Sequence, residues 1–273
     1  SQYHYIIAHD LYLLPYLFDN FKNQKIIFDA REYYPKEFES NFIFNYLERP
    51  ERELICKIYL PKCFKILTVS DKISEEYKTN FNVESLVVLS LPYLKSLPPI
   101  AKRENDEIKI VHHGMANPDR KIENMISVVE KIGKNFSLDL VLVGNYKYTE
   151  KLKKISKSSK IRFLKPWPFN EIIANLSNYD VGFFYVEPTT FNLKYCLPNK
   201  FFEFIHAGLA IAIGPSPEMQ KIVEKYNIGI VSDEFSIESM STALENLNQY
   251  NLELFKNNSV SLRNKMNAQV ELK

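Results

Sequence analysis

The chain has 273 residues, 45% of them hydrophobic and 25% charged, with a formal net charge of +2. That length is more than one compact core usually serves, so two domains are expected. The near-neutral balance lacks the field of a nucleic-acid-binding surface, and no apolar run approaches the roughly 20 residues of a membrane span.

The opening residues do not read as a secretory signal. Cys56, Cys63 and Cys196 are scattered, odd in number and without metal-ligand spacing, which reads as reduced thiols of a cytoplasmic protein. "YHYIIAHD" reads as a strand and "LYLLPYLFDNF" as a helix interrupted by Pro15. "KIIFDA" is a strand, and "FIFNYLERPERELICKIYL" is helical with a break near Pro50. "KILTVS" is a strand, "DKISEEYKTNF" a helix and "ESLVVLSL" a strand. Short apolar runs separated by helical segments signal a buried parallel sheet.

"LPYLKSLPPIAKREND" carries three prolines and a charged end, so it reads as a connector, with a domain boundary near residues 97–106. The predicted organisation is a first domain over 1–98, a second over 99–255, and a segment 256–273 with the option of crossing back to the first.

Beyond the connector, "IKIVHH" is a strand. "NPDRKIENMISVVEKIG" is predicted as one helix, with Asn117 as N-cap, Pro118 at its first position and Gly133 as its stop. Strands at "LDLVLVG", "IRFLK", "DVGFFYV", "LAIAIG" and "IGIVS" alternate with helices at "YTEKLKKISKSS", "NEIIANLSNY", "LPNKFFEFIHAG", "SPEMQKIVEKY" and "SIESMSTALENLNQY". Repeated βα units imply a doubly wound sheet that binds ligands at the carboxyl ends of its strands. Two such domains are expected to face a cleft.

All seven glycines fall in the second part, from Gly114 onward. Close backbone approach to a phosphate usually needs glycine, so the second domain is the expected anion binder. Gly114 follows the first strand there, and Arg120 lies in what reads as the first turn of the next helix. His112 and His113, adjacent on a strand, read as packing rather than as metal ligands. "KLKKISKSSK" reads as a solvated helix face that leaves peripheral membrane contact open. In "LPNKFFEFIHAG", Pro198 bars an earlier helix start, Asn199 and Lys200 fall in the first turn, and Glu203 sits one turn on. A lysine with free N–H groups suits a diphosphate, and a carboxylate suits a ribose diol.

These segments, in this order, resemble the GT-B glycosyltransferases, in particular family-4-like, retaining, sugar-nucleotide-dependent enzymes. "LPNKFFEFIHAGLAIAIG" looks like their donor segment, and "HHGMANPDRKIENMI" like their loop and helix carrying a diphosphate-binding cation. "AHDLYLLP", "FDAREYYP" and "ILTVSDKISEEY" resemble segments of their acceptor domain. The resemblance implies two Rossmann-like domains, the first lacking its opening strands and open to completion by a partner chain. It implies a nucleotide-diphosphate sugar as donor and a saccharide or lipid-linked acceptor, as in surface polysaccharide synthesis, with no cofactor and no metal.

By the same resemblance, Glu203 would hold the donor ribose, and Arg120 and Lys200 the diphosphate. Gly114 and Asn199 would approach phosphates or sugar, His9 the acceptor and transferred sugar, and Trp167, within "KPWPFNE", the nucleobase. Three positions depart from the family. Tyr195 stands where many relatives carry a second glutamate, leaving Asn192 or Tyr195 to share the sugar contact. Met115 replaces an arginine, and Arg31 a common histidine. The alternatives are a non-catalytic partner subunit and a sugar-nucleotide 2-epimerase.

Overall fold

The computed structural model describes residues 3–94, 107–133 and 135–272. The predicted boundary at 97–106 lies outside the described residues. Two compact units form: residues up to Ser90 with Pro188–Leu197, and Leu91–Glu187 with Pro198 onward. The segment from residue 256, for which the sequence left a return to the first domain open, lies in the second unit.

The first unit is a four-stranded parallel sheet in the order β1-β2-β3-β4, with β1 Tyr5–Ala8, β2 Lys25–Ala30, β3 Lys65–Thr68 and β4 Leu86–Val87. Helices α1 (Leu13–Asn20), α2 (Arg49–Tyr59) and α3 (Asp71–Phe81) connect the strands. Ser70 caps α3 by accepting from the Ile73 N–H, and Asn82 ends it in the left-handed conformation. Ala8, Leu11, Leu14, Phe28, Cys56, Ile73 and Tyr77 form the core. β1 lies at a sheet edge, with Tyr5 and Ile7 exposed.

The predicted break near Pro50 does not occur. The chain is helical without interruption from Phe42 to Tyr59, because a π-helical stretch, Phe44–Glu48, precedes the proline. Wider winding there relieves the ring's clash with the preceding turn, and Pro50 itself sits in the first turn of α2.

Residues 188–197 fold onto the first unit, with α7 (Phe191–Lys194) among them. The Asn192 amide clamps Tyr33, accepting from its N–H at 2.8 Å and donating to its carbonyl at 3.1 Å. The Phe191 ring packs on Tyr33 and on Tyr195.

The second unit is a six-stranded parallel sheet in the order β10-β9-β8-β5-β6-β7. Its strands are β5 Ile108–Ala116, β6 Phe136–Gly144, β7 Ile161–Leu164, β8 Val181–Phe184, β9 Ala210–Ile213 and β10 Gly229–Val231. The helices are α4 Ile122–Lys131, α5 Tyr146–Ile155, α6 Ile172–Leu176, α8 Asn199–Ala207, α9 Pro217–Tyr226, α10 Ile237–Glu245, α11 Gln249–Arg263 and α12 Ala268–Glu271. The last helix predicted from sequence is in fact two, α10 and α11, because Asn248 starts the second with a capping box to Asn251.

The strand order reverses at β5. It pairs with β6 over its whole length, from Ile108↔Phe136 to Ala116↔Gly144, but with β8 only at Ile110↔Val181 and Val111↔Gly182. Beyond Val111 the neighbours part, and the crevice of a doubly wound sheet opens there, at the carboxyl ends.

Candidate functional site

The predicted cations converge on this crevice. Gly114 has φ +131°, a conformation closed to most residues, and the space a Cβ would take lies 2.4 Å from Lys200 Nζ and 3.9 Å from Arg120 Nη1. Lys200 is buried in the first turn of α8, its ammonium 5.3 Å from the Phe184 ring centroid. The helix is held at this height because Phe204 lies directly on Gly182 of β8, where any Cβ would clash with the ring at 2.3 Å. Pro198 provides no side-chain cap, so the N–H groups that open α8, beside Lys200, have no side-chain acceptor there. Asn199 opens the helix and is exposed.

Arg120 does not lie in the first turn of the following helix but in a separate 3-10 turn, Pro118–Arg120. Asn117 caps that turn through the Asp119 N–H, and Lys121, at φ +45°, ends it. Helix α4 starts afresh at Ile122, and the Ile122 N–H is taken by the Tyr148 hydroxyl at 3.0 Å. The helix N-terminus beside Lys200 and Gly114 is therefore that of α8, not α4. Gly133 is not the helix stop either; Ile132 takes that place in extended conformation.

Glu203 sits one turn into α8, its side chain 12% exposed. Its Oε2 lies 3.2 Å from His113 Nε2, within ion-pair reach although not aligned as a hydrogen bond. The His113 ring also meets Phe204 edge-on. His112 packs the other way, donating from Nδ1 to the Phe183 carbonyl at 2.8 Å, where β8 has left β5. Burial, reinforced by the charge of Lys200, holds its pKa well below the usual value, so the ring is neutral and Nε2 is a buried acceptor.

Gly114→Ala is expected to push Lys200 aside and strain the backbone, lowering stability by about 1–3 kcal/mol together with anion affinity. Differential scanning fluorimetry with and without nucleoside diphosphate checks both.

Trp167 lies elsewhere than the cation cluster. Its ring packs against Tyr179 at 6.2 Å, and the Tyr179 hydroxyl donates to Asp139, which also holds Arg162 in a two-pronged ion pair. Asp139 lies three residues before Leu142, the β6 partner of Gly114. That offset is roughly 10 Å along the strand.

In the first unit, His9 stands just beyond β1 and is joined to Asp29 and Arg31, at the end of β2. His9 Nδ1 lies 2.8 Å from Asp29 Oδ2, and Arg31 Nε donates to the same oxygen at 3.1 Å. Arg31 Nη2 also lies 3.1 Å from His9 Nδ1, so a carboxylate that only accepts and a guanidinium that only donates both face the same ring nitrogen. Asp29 escaped the sequence reading, although its spacing from Arg31 places both on one side of the strand end.

A second carboxylate group was missed as well. Burial, with the neighbouring Glu37 carboxylate, pushes Glu32 up to about 7, against the opposing pull of Arg52. Glu37 is bound to Arg52, whose guanidinium lies over the Tyr12 and Phe44 rings at 5.3 and 5.0 Å. A raised carboxyl pKa means that the folded state holds a proton the unfolded chain has lost. Stability therefore falls as pH rises from about 4.5 to about 7, by on the order of 3 kcal/mol. Glu32→Gln should flatten that slope, raising the melting temperature at pH 8 more than at pH 5.

Among the described residues no group of three or more His, Cys, Asp or Glu is placed to hold a metal ion, and no helix is long and apolar enough to cross a membrane. No protein-family model matches the sequence, and no curated protein matches it. Solved structures do. Sucrose-phosphate synthase from Thermosynechococcus elongatus superposes with a TM-score of 0.80 at 12% identity, covering 99% of this chain and 71% of that one. TarM of S. aureus, in complex with fondaparinux, α-GlcNAc-glycerol and UDP, gives 0.75 at 12% identity over 98% of this chain. The present chain spans about half of TarM, 53% of its length. WaaG, a glycosyltransferase involved in lipopolysaccharide biosynthesis, gives 0.68 at 12% identity, covering 92% and 76%. With two parallel sheets and the second reversing at β5, the chain has the GT-B fold of these glycosyltransferases.

Proposed function

We propose that the chain acts in glycosyl transfer, binding a nucleotide-diphosphate sugar on its second unit. The observation that carries this reading is the convergence of Lys200 and Arg120 over Gly114, with Glu203 one helical turn beyond. Charge develops on the diphosphate as the glycosidic bond breaks. Lys200, Arg120 and the α8 N–H groups stand ready to stabilise it without reorganising. Glu203 accepts from the ribose diol, while Trp167 and the turn around it border the base.

On the first unit, the His9 ring, held by Asp29 and Arg31, hydrogen-bonds a hydroxyl of the acceptor or transferred sugar. TarM and HepE, both solved with UDP, and WaaG, named for lipopolysaccharide synthesis, support a UDP-sugar donor and a saccharide or lipid-linked acceptor. The open edge of β1 is the place where a partner strand would extend the first sheet.

A specific observation favours a second reading, nucleotide binding without transfer. Both ends of the Asn192 amide are committed to Tyr33, and Tyr195 packs on Phe191, so the residues proposed to replace the missing sugar-contacting glutamate have structural employment.

A thermal-shift screen of UDP, GDP and ADP and their sugars tests the core of the proposal. One base should stabilise the chain by about 2.7 kcal/mol at hundredfold excess over its Kd. Stabilisation by none of them would overturn it. Slow release of free sugar from the selected sugar nucleotide then separates the transferase from the binding subunit.

A further inference from the structure

The helical run Phe42–Tyr59 has two apolar faces. One, with Phe44, Ile55 and Cys56, is buried. The other shows solvent Phe42, Ile43, Tyr46, Leu47, Leu54 and Ile58, each between 41% and 80% exposed. A helix packed on a domain normally turns charged residues outward, and a contiguous exposed apolar stripe marks an interaction site.

The stripe has a symmetry. Ile43 and Ile58 stand equally far from the point between Pro50 and Glu51, and so do Leu47 and Leu54. In a pair of antiparallel helices related by a two-fold axis through that point, isoleucine meets isoleucine and leucine meets leucine. That self-matching is what an isologous contact requires. The charged neighbours are satisfied within the chain: Arg49 is bound to Glu53, and Arg52 to Glu37 and Glu48. Glu51, beside the axis, takes only the Tyr12 hydroxyl at 3.4 Å and stays exposed at the centre of the stripe. The exposed apolar area of the stripe, with adjoining Phe38, is on the order of 700–800 Å², close to one partner's share of a standard stable interface.

We propose that this face is the interface with a second copy of the chain, formed by antiparallel, two-fold pairing of the helices over residues 42–59. The charge pattern sets a lipid surface aside as the occupant. Membrane-surface helices are rich in Lys and Arg. This run carries Glu48, Glu51 and Glu53 against Arg49, Arg52 and Lys57, a balance of zero.

Sedimentation equilibrium of the whole chain over about 1–100 μM tests the proposal, alongside flotation with vesicles of phosphatidylcholine and phosphatidylglycerol. The native chain is expected to be a dimer. The doubly substituted chain, Leu47→Glu with Leu54→Glu, should dissociate about a hundredfold or more readily, with unchanged circular dichroism. Glu51→Cys beside the axis, in an otherwise native chain, should give a disulfide-linked dimer on mild oxidation that the native chain does not form. This arm stands even if the double variant fails to fold. A monomer at every concentration, a dimer that survives the two glutamates, no cross-link through residue 51, or a monomer that floats with vesicles would each overturn the proposal.

Discussion

Lys200→Ala is expected to weaken nucleoside diphosphate binding by about a hundredfold while leaving the corresponding nucleoside within about twofold. The size follows from burial. Lys200 is 8% exposed and sits against the Phe184 ring, so its charge meets a ligand with little intervening water. A hydrogen bond between charged groups contributes about 1.5–3 kcal/mol, and a desolvated one falls at the upper end. Arg120 is half-buried in its 3-10 turn, and Arg120→Ala should cost nearer tenfold. Salt separates the two further, because screening acts on exposed charge. Raising ionic strength from roughly 0.05 to 0.5 M should erode the Arg120 contribution more than that of Lys200. Titration calorimetry with diphosphate and nucleoside measures all four affinities. Equal losses for both ligands in either variant would place that cation away from the phosphates.

The cluster was legible in sequence because its parts are local. Lys200 and Glu203 share one helix whose start Pro198 fixes, and Gly114 lies near the end of a strand whose apolar run is plain. The order of strands, which brings β5 beside β8 and so Gly114 beside Lys200, was not legible: the βα alternation and the family resemblance implied only a doubly wound sheet with ligands at the carboxyl ends of its strands. Arg120 was placed beside Lys200 and Gly114 for the wrong reason. Helical periodicity ran through from Pro118, while the break comes from a left-handed Lys121, and lysine gives no warning of that conformation.

The same limit applies at Pro50, where the proline was visible but the π-helical stretch that accommodates it was not. Tertiary pairings were hidden altogether. Asp29 on His9, Glu37 on Arg52 and Asn192 on Tyr33 join residues far apart in sequence, and no spacing rule links them. The exposed stripe on residues 42–59 was hidden differently. Apolar residues on both faces of a helix look alike until the core shows which face it covers.

Glu203→Gln is the other change with a large expected effect, a loss of about ten- to a hundredfold in nucleotide affinity with the melting temperature of the free chain nearly unchanged. Glutamine keeps the shape and one oxygen, so the packing of α8 on β8 survives. What goes is the charge that strengthens two hydrogen bonds from a ribose diol. The setting of Glu203 supports that use. Its carboxylate is largely desolvated beside His113, whose ring is fixed edge-on to Phe204. His113 therefore limits where the carboxylate can point, and His113→Ala should weaken nucleotide binding by about three- to tenfold by loosening it. The decisive comparison uses a 2′,3′-dideoxynucleoside diphosphate. If Glu203 grips the diol, the native chain should bind this analogue about as weakly as Glu203→Gln binds the natural nucleotide, and the substitution should cost almost nothing further with the analogue. Losses that simply add would show that Glu203 acts at some other part of the ligand, and the ribose assignment would fall while the cation cluster stood.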